Sequence, residues 1–101
     1  MALNSAQRRY LKQHAHHLNP VATVGHEGLA EGVIREIARG LDHHGLVKVK
    51  LRVDDRAALG QLESEIIDQT GAEHVQTIGR LVVIYRALEK SKIRLPRSLR
   101  I

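Results

Sequence analysis

The clearest pattern of apolar and polar positions in this chain lies between residues 46 and 53. From residue 47 onward, one side of that segment carries only aliphatic residues and the other only basic ones, namely Val47, Val49, Leu51 and Val53 against Lys48, Lys50 and Arg52. Because successive side chains of a strand point to opposite faces, this alternation predicts a strand with one buried and one basic face. Shorter apolar runs predict strands over residues 21–24, 73–78 and 81–86, the last two joined by a two-residue hairpin turn at Gly79-Arg80.

Three further segments have the spacing of amphipathic helices. We predict the first over about residues 6–16, with Asn4 or Ser5 as its N-cap. The second ends at Gly45 and repeats apolar residues on one stripe, at Leu29, Val33, Ile37 and Leu41. The third is acidic and covers about residues 55–69.

The predicted order of elements is therefore α-β-α-β-α-β-β, in a single domain spanning residues 1–101. Strand–helix–strand units have right-handed crossovers, which place both crossover helices on the same face of the sheet. We expect a two-layer α/β domain with a four-stranded mixed sheet, whose other face carries the basic side of the strand at residues 46–53. The periodicity is lost near the C-terminus, and residues 88–101 are predicted to form a basic tail.

Composition narrows the classes of protein to which the chain can belong. It contains no cysteine, which excludes disulfides, thiolate metal sites and thiol catalysis. No apolar run is long enough to cross a bilayer, so we expect a cytoplasmic protein with no membrane partner.

The charges are segregated along the chain, whose net charge is +5. Residues 1–24 carry three basic residues and no acidic one, residues 25–79 carry six basic and ten acidic residues, and residues 80–101 carry seven basic residues and one acidic residue. Two basic ends around an acidic middle are typical of a surface that binds a polyanion. The alternative is a basic tail that serves only solubility.

A G-x-x-G sequence, Gly25-His26-Glu27-Gly28, joins the first predicted strand to the second predicted helix. Glycines three apart let a ligand approach the backbone closely, and a helix N-terminus directs unpaired N–H groups toward an anion such as phosphate. The alternative is a purely steric turn, in which Glu27 or Glu31 complements the helix dipole.

Over about residues 4–96 the chain resembles the CRM domain, the chloroplast RNA splicing and ribosome maturation family, and in particular its single-domain bacterial YhbY-type members. The motifs that carry the resemblance are Arg9-Tyr10-Leu11-Lys12, Leu18-Asn19-Pro20, Gly25-His26-Glu27-Gly28-Leu29, Glu31-Gly32-Val33, His43-His44-Gly45-Leu46-Val47-Lys48-Val49-Lys50, Thr70-Gly71-Ala72, Val75-Gln76-Thr77-Ile78-Gly79, Val83-Ile84-Tyr85-Arg86 and Lys92-Ile93-Arg94-Leu95-Pro96.

The resemblance implies a sheet similar to that of the C-terminal domain of translation initiation factor three. It also implies RNA binding without catalysis, through the G-x-x-G loop and nearby basic surface, and association with precursors of the large ribosomal subunit. The sequence departs from the family pattern at Glu27, because family loops favour small polar or basic residues between the two glycines. A carboxylate beside phosphate is unfavourable unless it turns away or accepts a hydrogen bond.

The candidate RNA-binding residues fall into the glycine loop, the first helix, the basic strand face, the hairpin and the tail. They are Gly25, His26, Glu27 and Gly28; Arg8, Arg9 and Lys12; Lys48, Lys50 and Arg52; Arg80 and Arg86; and Lys92 and Arg94. The only aromatic residues are Tyr10 and Tyr85, which argues against an extended stacking platform and favours recognition through phosphate, 2′-hydroxyl and shape.

Other functions have weaker support in the sequence. Seven histidines invite a metal site, but no carboxylate or cysteine lies at a matching spacing, and no catalytic constellation is present. We expect a monomer with no cofactor, no metal and no small-molecule substrate. The main alternative to RNA binding is a protein–protein adaptor that uses the acidic helix around residues 55–69, where Glu63, Glu65 and Asp68 would bind a basic partner.

Overall fold

A computed structural model describes residues 3–25 and 28–87 of the chain. In chain order these segments form α1 (Ser5–Ala15), β1 (Pro20–Val24), α2 (Glu31–His44), β2 (Leu46–Leu51), α3 (Arg56–Thr70), β3 (Glu73–Ile78) and β4 (Leu81–Tyr85). The predicted order of elements is confirmed. The predicted tail at residues 88–101 lies outside the described residues, as do His26 and Glu27.

The four strands form one mixed sheet in the order β1-β2-β4-β3. Strand β1 runs parallel to β2, whereas β4 is antiparallel to both β2 and β3. The hairpin turn between β3 and β4 is Gly79-Arg80, as the sequence predicts, and Gly79 has a φ of 58°, which a glycine adopts without strain. The predicted fold class, α/β with a four-stranded mixed sheet, is confirmed.

Helices α2 and α3 cover one face of the sheet, in agreement with the crossover argument. Their buried residues pack on aliphatic side chains of the two central strands, in a cluster that includes Ile37, Leu41, Leu62, Ile66, Val47, Val49, Val82 and Ile84. A Cβ atom at Gly40 would lie 3.0 Å from Cγ1 of Val47, so glycine at this position lets α2 approach β2 closely. The aliphatic side of the segment at residues 46–53 is thus the buried side.

Helix α1 packs on the opposite face of the sheet and adds a partial third layer to the two layers predicted from the sequence. A second buried cluster joins α1 to β2, β3 and β4 through Leu3, Leu11, Ala15, Leu46, Val75, Val83 and Tyr85. The physical reason is that β4 is apolar on both faces, since Val82 and Ile84 contact α2 and α3 while Val83 and Tyr85 point the other way. An apolar second face needs its own cover, and α1 supplies it over part of the sheet.

Tyr85 makes the stability of this second cluster sensitive to alkaline pH. Its side chain is 6% exposed, and burial raises the pKa of Tyr85 above its ordinary value of 10.0. Because the folded-state pKa exceeds the unfolded-state pKa, the stabilisation is complete below about pH 10 and is lost as pH rises through the folded-state pKa.

We therefore expect the free energy of unfolding to fall more steeply with pH above about pH 10 in the wild type than in Tyr85→Phe, which has no phenol to ionise. Urea unfolding of both proteins over a pH series measures the difference between the two curves. Other titrating groups are common to both proteins and cancel. Parallel curves at alkaline pH would contradict the burial argument.

Candidate nucleic-acid interface

The two glycines of the G-x-x-G segment, which follows β1, are joined by a backbone hydrogen bond. The backbone N–H of Gly28 donates to the carbonyl of Gly25 at 3.1 Å, and Gly28 has a φ of 84°, which explains glycine at that position. Gly25 is different, because its φ is not positive and an added Cβ would meet no atom within 4 Å. The fold therefore does not require glycine at position 25, and the space in front of its backbone is open.

Helix α2 begins at Glu31 rather than directly after Gly28, so two residues, Leu29 and Ala30, separate it from the turn. Its N-cap residue is Ala30, whose methyl side chain makes no capping hydrogen bond, and the helical pattern leaves the N–H groups of Glu31 and Gly32 without an intrahelical acceptor. Helices α1 and α3, by contrast, are both capped by side chains, from Asn4 and Asp55 respectively. The helix N-terminus beside the glycine turn is thus the one without a side-chain cap among the three helices of the described segments.

Two arginines from other elements lie at the same end of the sheet as the turn. The N–H of Arg52 donates to the carbonyl of Val24 at 2.7 Å, and the N–H of Leu51 donates to the carbonyl of Arg80 at 2.7 Å. The end of β1, the end of β2 and the β3–β4 hairpin tip therefore meet here. We call the surface formed by Gly25, Gly28, Arg52 and Arg80 the loop edge.

Arg80 forms an ion pair with Asp54 at the loop edge. Both side chains are more than half exposed, at 56% and 81%, so solvent screens the pair and an incoming anion has direct access to the guanidinium. A cleft of about 220 Å³ lies beside the pair and is lined by Val53, Asp54, Asp55, Arg56, Leu59, Gly79 and Arg80.

A second basic surface lies on the sheet face that α1 covers only in part. We call its uncovered part, around Lys48, Lys50, Leu81 and Ile78, the open face. Lys50 is exposed and Lys48 is half-buried. Lys48 shares a notch of about 60 Å³ with residues from α1, β3 and β4, which are Lys12, Ala15, His16, Gln76, Ile78 and Val83. The fold therefore brings Lys12 of the first helix to the basic strand face, as neither segment alone could indicate.

Arg8 and Arg86 lie away from the loop edge, and their guanidinium groups donate hydrogen bonds to backbone carbonyls of the protein. Arg8 donates from Nη1 to the carbonyl of Leu3 at 2.9 Å and from Nε to the carbonyl of His74 at 3.3 Å. It thereby ties the N-terminal segment to β3. Arg9 is exposed on α1.

Arg86 follows β4 at the opposite end of the sheet from the glycine turn. Its guanidinium donates to the carbonyl of Thr70 at the end of α3, to the carbonyl of Ala38 in α2 at 3.3 Å, and to the carboxylate of Asp42. The side chain is only 22% exposed. The geometry therefore gives Arg86 a structural role in holding both crossover helices to the sheet.

Four of the sequence-predicted site residues lie outside the described segments and have no structural placement here: His26, Glu27, Lys92 and Arg94. Within residues 3–25 and 28–87, no three histidine or acidic side chains are grouped so as to hold a metal ion. Every helix of those segments is too short or too polar to cross a membrane.

Sequence reasoning missed Ile78, Gln76 and His16 as parts of the open face. His16 follows α1 and reaches this face because α1 packs there. For Gln76 and Ile78 the cause is a β-bulge between His74 and Gln76, which shifts the register of β3 against β4. Because side chains alternate along a strand, one extra residue moves every later side chain to the other face. Ile78 consequently lies on the side of α1 instead of under α3. The alternation within residues 73–78 carries no signal that reveals the bulge.

A model of the CRS1/YhbY (CRM) domain matches residues 3–86, and the chain belongs to this family. The family resemblance that the sequence motifs indicate is confirmed.

Two curated relatives and one solved structure support the assignment. A Haemophilus influenzae protein named RNA-binding protein is 47% identical over 96 residues, which cover 95% of this chain and 97% of the relative. A Pseudomonas aeruginosa protein named as a probable RNA-binding protein is 41% identical and covers 85% of this chain and 83% of its own length. The solution structure of a hypothetical Staphylococcus aureus protein, suggested to bind RNA, superposes with a TM-score of 0.79 at 33% identity and covers 94% of this chain and 100% of its own.

The structural role of Arg86 can be tested against Arg80, which lies in the same hairpin. Arg86→Met leaves the carbonyls of Thr70 and Ala38 without their charged donor and is expected to lower the free energy of unfolding by about 1–3 kcal/mol. Arg80→Met removes only an exposed ion pair and should cost less than about 1 kcal/mol. Urea unfolding followed by circular dichroism gives both values. Equal losses would show that Arg86 is no more structural than Arg80.

Proposed function

We propose that this protein binds RNA without catalysing a reaction, and that it associates with precursors of the large ribosomal subunit in the cytoplasm as a monomer. The observation that carries the proposal is the loop edge. An open backbone at Gly25, a helix N-terminus with no side-chain cap and two exposed arginines all occur at one end of the sheet. Together these features make an anion site assembled from four elements.

In the proposed mechanism, the phosphate backbone of RNA crosses the loop edge. Backbone N–H groups near the start of α2 donate to a phosphate oxygen, and the positive end of the helix dipole strengthens that bond. Arg52 and Arg80 contact neighbouring phosphates, and Arg80 exchanges the Asp54 carboxylate for RNA at little cost because their pair is exposed. Lys12, Lys48 and Lys50 extend the contact onto the open face.

Family membership supports the choice of RNA as the polyanion. The Haemophilus influenzae relative carries the name RNA-binding protein and covers nearly all of this chain. The resemblance to single-domain bacterial CRM proteins supports the narrower proposal of large-subunit precursors. The absence of catalysis is tested by incubating RNA with the protein and then assaying the RNA for cleavage or modification products.

The adaptor alternative has less support in the arrangement of α3. Of its three acidic candidates, Glu63 accepts a hydrogen bond from Thr77 and lies 3.9 Å from Nε2 of His74, so it is occupied in holding α3 to β3. Only Glu65 and Asp68 remain as exposed carboxylates of that set. We therefore favour RNA as the partner.

Crosslinking in cells, followed by sequencing of the attached RNA, tests the proposed partner. Enrichment of large-subunit ribosomal RNA around one site is the expected result. A profile that follows RNA abundance alone would contradict the ribosomal assignment. RNA binding itself is tested separately, by the affinity measurements that follow.

The electrostatic part of the proposal predicts a strong salt dependence. If about six basic residues contact phosphates, log affinity for single-stranded RNA should fall with log salt concentration at a slope near −4. Arg52→Gln should make that slope shallower by about 0.7. Arg39→Gln is the matched control, because Arg39 is also exposed but lies on α2, across the sheet from the open face. A slope near zero in the wild type, or equal effects of the two variants, would remove the loop edge from the binding surface.

The glycine turn can be tested through the charge between its two glycines. Glu27→Lys replaces an acidic residue with a basic one next to the proposed phosphate site, so RNA affinity should rise and its salt dependence should steepen. His26→Ala removes a donor and should weaken binding. Glu36→Lys makes the same change in net charge at an exposed position of α2 and should have a smaller effect. If Glu27→Lys and Glu36→Lys give equal affinities, only net charge matters and the turn is not a contact.

A further inference from the structure

Among the described residues, Ile78 is the large hydrophobic residue that is exposed to solvent, with 50% of its surface accessible. It is the last residue of β3, directly before the hairpin tip that contributes Arg80 to the loop edge. The bulge at His74–Gln76 places it on the open face. Without that bulge, the alternation of β3 would turn Ile78 toward the buried side of the sheet.

The strand register surrounds Ile78 with apolar and basic neighbours. Ile78 pairs with Leu81, and Leu81 pairs with Lys50 on its other side. One row further down the sheet, Gln76, Val83 and Lys48 line up in the same way. Two aliphatic-plus-lysine rows therefore lie side by side, about 7 Å apart because two residues separate them along the strand.

The charge of this surface is of one sign. The notch that Ile78 helps to line also includes Lys12, His16 and Lys48, and no acidic residue contributes to its lining. Lys50 adds a further cation in the adjacent row. A small apolar surface framed by cations is complementary to a nucleotide, which combines an apolar base or ribose face with an anionic phosphate.

We propose that the open face is a nucleotide-binding site in which an unpaired base or its ribose lies against Ile78 and Leu81 while Lys48, Lys50 and Lys12 contact the flanking phosphates. This inference rests on the proposed function and extends it, since it adds an apolar contact to a surface so far described only by charge. The site continues from the loop edge, so one RNA strand can cross both.

The dimensions of the site define what it selects. A notch of about 60 Å³ is too small to enclose a nucleobase, so the base lies on the aliphatic surface instead of entering a pocket. Such a contact discriminates poorly between the four bases, but it requires a base that is not paired and stacked inside a duplex. The open face therefore selects single-stranded or looped RNA over duplex RNA.

A protein partner fits this surface less well. The centres of protein interfaces are depleted in charged residues, whereas Lys48 and Lys50 lie in the two strand rows of this apolar surface and Lys12 of α1 lines the same notch. The aliphatic part consists of little more than Ile78 and Leu81, which is small for the central cluster of a stable protein interface.

The test compares two substitutions of Ile78 that keep the β-branched shape. Ile78→Thr exchanges apolar surface for a hydroxyl, whereas Ile78→Val keeps the surface apolar and serves as the matched control. Affinities are measured for an unstructured single-stranded RNA of about 12 nucleotides and for the corresponding duplex, over a salt series. Since Ile78 is half exposed, both variants should remain folded, which circular dichroism and thermal unfolding verify.

We expect Ile78→Thr to weaken single-strand binding by about threefold to tenfold at every salt concentration, without a change of slope, because the lost contact is apolar. Ile78→Val should stay within about twofold of the wild type, and Ile78→Tyr should bind the single strand more tightly because its ring offers a stacking surface. Duplex affinity should be the same for all four proteins.

Several results would overturn the site and are distinguishable from failure of the proposed function. Identical affinities of Ile78→Thr and wild type, or equal losses on single strand and duplex, would show that Ile78 contacts no base while RNA binding itself stands. A change of oligomeric state in Ile78→Thr by sedimentation, with RNA affinity unchanged, would make the open face a contact between protein chains. No measurable RNA binding by the wild type would overturn the proposed function and this site together.

Discussion

Strand β2 bonds to a parallel neighbour on one side and an antiparallel neighbour on the other, so its alternation determines what each face of the sheet can do. Val47, Val49 and Leu51 give α2 and α3 a continuous aliphatic surface. The intervening positions hold Lys48 and Lys50, whose ammonium groups cannot be buried without a partner. The second face must therefore stay partly open to solvent, and α1 covers it only where the strands offer apolar side chains, at Leu46, Val75, Val83 and Tyr85. The division into a packed face and a basic face follows from this one strand.

Local features predicted most of the architecture, because each element begins or ends at a residue with an evident backbone preference. Gly45 and Gly71 end α2 and α3, and Gly79-Arg80 joins β3 to β4, as periodicity and turn chemistry indicate. The side on which α1 packs was not predictable in this way, since an amphipathic helix needs an apolar surface but does not specify which one. The bulge in β3 was equally hidden, because it is a property of pairing with β4 rather than of residues 73–78 alone.

The candidate site shows the same division between local and non-local information. Arg80 and Arg86 lie six positions apart in one hairpin and are chemically identical, so the sequence offers both as RNA contacts. Arg80 is exposed at the loop edge, while Arg86 donates to carbonyls that belong to two different helices. Those carbonyls meet the guanidinium only after both crossovers have returned to the sheet. The structural role of Arg86 can therefore be told apart from the exposed position of Arg80 only when the topology of the fold is known.

The packing of α1 also has a consequence for how the chain folds during synthesis. The N–H of Leu3 donates to the carboxylate of Glu73, 70 residues later, and α1 buries its apolar stripe on β2, β3 and β4. Helix α1 therefore lacks most of its packing partners until the β3–β4 hairpin has been synthesised. Contacts so distant in sequence carry a large loop-closure entropy and slow folding. Docking of α1 is thus expected to follow formation of the β3–β4 hairpin, and the sheet face that carries Lys48 and Ile78 acquires its final shape only after that hairpin has formed.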